Sequence, residues 1–131
     1  MVAPNKERFV AHGTRFLAHR AHFDRWAERV AAFADGGGVP SLAVAGRAAG
    51  ELRLGFAGEA YAVRHSFHPS GTSRLDSYAV SDLPGPGATY TARQAVALDD
   101  AGDVTVRGRG AVSLAADWED VLYHLLATPR N

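Results

Sequence analysis

Cysteine is absent from this 131-residue chain, which excludes disulfide staples and thiolate chemistry. Isoleucine is absent too, and Lys6 stands alone against thirteen arginines. That skew is the mark of a GC-rich genome and points to a bacterial source. It also weakens any argument that arginine was selected here for bidentate binding. No apolar run approaches the ~20 residues of a membrane span. The opening stretch, Met1–Arg8, turns charged at once and lacks a secretory core, so a cytoplasmic protein without membrane contact is expected. Basic and acidic residues balance at 14 each, which excludes binding to polyanions by bulk charge alone. The length suits a single domain over residues 1–131, large enough to bury a core unaided.

What the chain has is a stripe. Phe9, Phe16, Phe23 and Val30 recur every seven residues, and His12, His19, Trp26 and Phe33 follow each of them by three. This spacing predicts one long helix with an aromatic seam, carrying two histidines where leucine would be ordinary. Asn5 is the candidate N-cap, and Gly36-Gly37-Gly38-Val39-Pro40 is the stop. Gly13 lies inside and invites a kink.

After the glycines the period becomes two. Strands are predicted over Ser41–Gly46, Glu51–Phe56, Ala60–His68, Ser73–Val80, Tyr90–Leu98 and Val104–Arg107, with a loop at Asp82–Gly87 and a hairpin turn at Asp99–Asp103. A final helix is predicted from Leu114 to Ala127, capped by Ser113. Strands joined by turns, with no helix between them, form an antiparallel meander. The expected fold is α+β: a long N-terminal helix, a five- to six-stranded antiparallel sheet and a C-terminal helix, with both helices on one sheet face.

Motifs with chemical meaning are few. His19 and His22 have a chelating spacing, but Arg15, Arg25 and Arg29 surround them and no third ligand shares the face, so no metal is expected. Gly108–Ser113 has the outline of a phosphate-cradling loop, but the third fingerprint glycine is serine and no parallel strand follows it. It reads as a flexible strand-to-helix connection. Asp120 and His124 are an ordinary i,i+4 helical pair. No nucleophile elbow, zinc-protease motif or set carboxylate pair is present, so neither enzymatic activity nor a cofactor is expected.

Three functional readings remain. The first is a small non-enzymatic protein-binding module, such as an inhibitor, immunity-type or adaptor protein. Its contact would be the aromatic helix, or a sheet face bearing Arg53, Arg64, Arg93 and Arg107, with a homodimer as its simplest form. The second is a small-molecule binder or enzyme, with a pocket between the first helix and the sheet lined by His12, His19, Tyr61, His65 and Tyr90. The third is a nucleic-acid surface on the arginine face, weakened because only Tyr78 is expected there as a stacking aromatic.

Overall fold

The computed structural model describes residues 4–81, 89–106 and 108–127. The chain runs α1 (Pro4–Asp35), β1 (Ala43–Ala48), β2 (Glu51–Phe56), β3 (Glu59–Phe67), β4 (Ser73–Ser81), β5 (Thr89–Leu98), β6 (Asp103–Val106), β7 (Gly110–Ser113) and α2 (Trp118–Ala127). The seven strands form one sheet in sequence order, and every neighbouring pair is antiparallel. Both helices pack against this sheet, as the change of periodicity predicts.

Several details differ from expectation for local reasons. The helix begins at Pro4, so Asn5 lies in its first turn; proline suits that position because its missing N–H would have no helical acceptor there. Gly13 causes no break, and α1 runs unbroken for 32 residues, about 48 Å. The Gly108–Ser113 segment is a hairpin turn and a seventh strand, with Val112 opposite Val104 and Ser113 opposite Asp103. Three residues of alternation after two glycines were too few to be legible as a strand.

The last helix starts four residues later than predicted because a closed turn precedes it. Ser113 Oγ accepts the Ala116 N–H at 3.0 Å, and the Asp117 carboxylate accepts the Ser113 N–H at 3.0 Å. The predicted Asp82–Gly87 loop lies outside the described residues.

The core fills the space between sheet and helices. Phe23, Trp26 and Val30 of α1 meet Leu52, Leu54, Val63, Leu75 and Val104 of the sheet, with Val121 and Leu125 of α2. Trp26 Nε1 donates to the Trp118 carbonyl at 3.2 Å, tying the two helices together. Among the described residues no helix is long and apolar enough to cross a membrane.

Candidate functional site

In a meander, alternate turns lie at the same end of the sheet. Here the β1–β2, β3–β4 and β5–β6 turns form a row, and α1 presses side chains onto each. A Cβ added at Gly50 would stand 2.7 Å from Arg20 Cζ, one at Gly71 2.5 Å from Arg15 Nη1, and one at Gly102 2.8 Å from His22 Nδ1. All three glycines have positive φ, so a side chain at any of them would be strained, and the arginine and histidine tips would have to shift to admit it.

Asp100, in the β5–β6 turn, is the anchor of this row. Its Oδ1 accepts from His19 Nε2 at 2.6 Å and from Arg15 Nη2 at 3.0 Å, and Arg15 also donates to the Gly71 carbonyl at 3.3 Å. These donors hold the Asp100 carboxyl below its ordinary range, His19 contributing most. His19 is 1% exposed, and among the described residues no partner reaches its Nδ1.

Beside this row lies a pair that mimics a catalytic dyad. His65 Nε2 is 2.8 Å from Ser73 Oγ, both buried. Its Nδ1 accepts from Arg20 Nε at 3.0 Å. A ring nitrogen that accepts carries no proton, so the single proton of the neutral ring sits on Nε2 and is donated to the serine. The imidazole therefore cannot take the hydroxyl proton as a base. Burial, then the Arg20 and His19 charges, push the His65 pKa down to about 4, which keeps the ring neutral.

Of the five residues expected to line a pocket, three converge. His12 and His19 pack edge-on to Phe67, with ring centroids 4.7 and 5.1 Å away, and His65 stacks between Phe16 and Phe23. Tyr61 is on the helix-covered face but lies under the Arg93 guanidinium. Tyr90 is on the opposite face.

The outward face carries Arg53 and Arg64, as expected. Arg93 does not join them: its Nη2 donates to the Leu126 carbonyl of α2 at 3.1 Å, on the helix-covered side. Arg107 lies outside the described residues. Tyr90 takes the vacated place, below Arg64 at 4.3 Å and edge-on to Tyr78, with its hydroxyl bonded by Arg53. Glu51 binds both arginines, with Arg53 Nε and Arg64 Nε each at 2.7 Å. This holds its carboxyl low, chiefly through Arg53.

One slip in β5 accounts for both exchanges. Asp76 faces Ala95 and Tyr78 faces Ala92, so two steps on β4 match three on β5. The extra residue reverses the alternation, and every β5 side chain before it changes face. Counting back from inward Val96 and Leu98 places Tyr90 inside and Arg93 outside; the bulge inverts both.

The aromatic helix was expected as a contact surface, whereas the two clefts at the sheet's edge were not legible as sites. Residues 5–11 of α1 are all exposed, with Phe9 at 77% and Val10 at 61%, and Leu17 about two turns beyond Val10 is at 67%. At the other end of α1 an open apolar cleft of about 270 Å³ lies between Phe33, Leu42, Phe56, Trp118 and Tyr123. A second cleft of about 290 Å³ lies along Gly46, Arg47 and Ala48 of β1. The Asp120 carboxylate turns from His124 to Arg109 Nη1, 2.6 Å away. Among the described residues no group of three histidine or carboxylate side chains is placed to hold a metal ion. No known family model, curated protein or solved structure matches the chain.

Proposed function

We propose that this chain is a small non-enzymatic protein-binding module that works through the first turns of α1, with a two-fold homodimer as its simplest form. The observation behind this reading is the exposure of Phe9 and Val10 on the first turns of α1, continued by Leu17 on the side of the helix turned away from the sheet. A helix of about 48 Å is longer than the strands it runs along, the longest of which has 10 residues and spans ~33 Å. The surplus is the apolar end, and monomers seldom leave such a patch in water.

The patch is self-complementary. In an antiparallel pair of α1 helices, Phe9 of one copy lies level with Leu17 of the other when the crossing falls at Gly13. A Cβ at Gly13 would meet nothing within 4 Å, so that position is open to close approach by another backbone.

Light scattering over a wide concentration range tests this reading. The wild type is expected at twice the 13.9 kDa chain mass, and Leu17→Glu at the chain mass with unchanged circular dichroism. A wild type that stays monomeric at every concentration rules out the homodimer.

The outward face supports a second reading, as a single-stranded nucleic-acid surface, because Tyr78 and Tyr90 accompany the arginines there. It ranks lower: Glu51 already binds Arg53 and Arg64, and Asp76 binds Arg74 at 3.3 Å. A phosphate would have to displace both carboxylates.

A further inference from the structure

We infer that the free edge of β1, together with the apolar cleft where it begins, is a docking site for an extended segment of a partner protein. The segment would carry a bulky apolar anchor and, on the same side, an acidic residue. This rests on the reading of the chain as a protein-binding module, but not on α1 being the contact.

The sheet order starts at β1, so among the described residues no strand pairs with one side of this six-residue strand. Its length is about 20 Å. Ala43, Ala45, Gly46 and Ala48 are all small and put little in front of the backbone. An unpaired N–H and C=O row of this kind selects a partner in strand conformation, because only an extended chain matches its repeat.

The two ends of the edge differ chemically, and that difference defines the occupant. Where β1 begins, Leu42 forms one wall of the apolar cleft. Phe33, Phe56 and Trp118 are among the other lining residues, with Tyr123, 69% exposed, and Glu119. A cleft of about 270 Å³ holds one aromatic or large aliphatic side chain. Near the far end, exposed Arg47 pairs with no carboxylate among the described residues, although Glu51 and Arg53 line the same second cleft and bind each other. Arg47 lies opposite inward-facing Leu52, which places it on the cleft side of the strand. Side chains of an added strand that meet the cleft and Arg47 must therefore share a face. They would sit at an even spacing, about four residues apart.

A second copy fits this edge less well. The β1 ladder is interrupted by a bulge between Val44 and Gly46, and two antiparallel copies would bring their bulges and Arg47 charges together. Bulges and edge charges are how sheets resist pairing with themselves, while a different sequence can be matched to them.

The test is to pan a random-peptide phage library against the purified chain. Enriched peptides are then synthesised and their binding measured by fluorescence anisotropy to wild type, Tyr123→Glu, Arg47→Glu and Leu17→Glu. The expected winners place a bulky apolar residue and an acid at even spacing. Tyr123→Glu and Arg47→Glu should each weaken them by about tenfold. Exchanging the peptide's acid for lysine should restore binding to Arg47→Glu, a reversal that general unfolding does not produce. Leu17→Glu should bind as wild type does, which separates this site from the α1 contact. Failure to enrich an extended pattern overturns the inference, and so do winners indifferent to both edge variants. A dimer dissolved by Arg47→Glu and untouched by Leu17→Glu would place a second copy on the edge and overturn it too.

Discussion

The first turns of α1 and its second half carry the same seven-residue pattern and meet opposite fates. In the second half Phe23, Trp26 and Val30 are sealed against sheet and α2. In the first turns, Phe9 is open to water, and the neighbours Val10 and Leu17 add to the exposed area. Periodicity fixes which residues of a helix share a face, because 3.6 residues make a turn whatever surrounds it. What covers that face depends on how far the sheet extends, and the sheet ends before the helix does.

The sharpest break of the comparison is to truncate one aromatic from each region. Trp26→Ala empties a fully buried site and removes the bond to the Trp118 carbonyl, so unfolding in denaturant should show a loss of about 3–5 kcal/mol. Phe9→Ala should change monomer stability by less than about 0.5 kcal/mol. A comparable loss from Phe9→Ala would mean that the first turns are packed in solution, and the two regions would cease to differ.

A smaller effect sits between the two regions, where His65 stacks on Phe16 and on Phe23. Its folded pKa is about 4 against an ordinary 6.5. Between those values the unfolded chain takes up a proton that the folded chain refuses. Stability should therefore fall as pH drops from 6.5 towards 4 and level off below. The shift is equivalent to at most about 3 kcal/mol. His124, also pushed down by burial, adds in the same direction. Asp100 and Glu51, held low by their partners, add further losses at lower pH as they protonate. Denaturant midpoints measured across this range should show the slope, and His65→Gln should reduce it. An unchanged slope in that variant would show that the ring is not the group being titrated.

Most of the fold was legible because it follows from local alternation and punctuation. The switch at Gly36–Pro40 from a helical to a two-residue period, the Asp99–Asp103 turn and the antiparallel order all come from short-range spacing. The candidate sites depended on register, which does not. Arg53 and Arg64 lie on regular β2 and β3, and alternation placed them correctly. Tyr90 and Arg93 lie beyond a bulge in β5, and no residue type announces it. The Asp100 anchor was hidden for a different reason. An aspartate in a turn is explained by turn chemistry alone, and its bonds to Arg15 and His19 join residues more than eighty positions apart.

A modest effect on α1 is the most discriminating. Gly13 is an interior helical residue without a clashing Cβ position, so Gly13→Ala should stabilise the monomer by about 1 kcal/mol through helix propensity. In a homodimer that crosses at Gly13, the same methyl would hold the two helices apart and weaken association. One substitution then moves two quantities in opposite directions: the melting temperature of dilute protein rises while the dimer fraction falls. A packing defect would lower both, and a contact elsewhere on α1 would leave the dimer fraction unchanged. Thermal melts at low concentration, paired with light scattering at high concentration, separate these cases. A higher melting temperature with an undiminished dimer would move the crossing away from Gly13 and leave the exposure of Phe9, Val10 and Leu17 to be covered by a different partner.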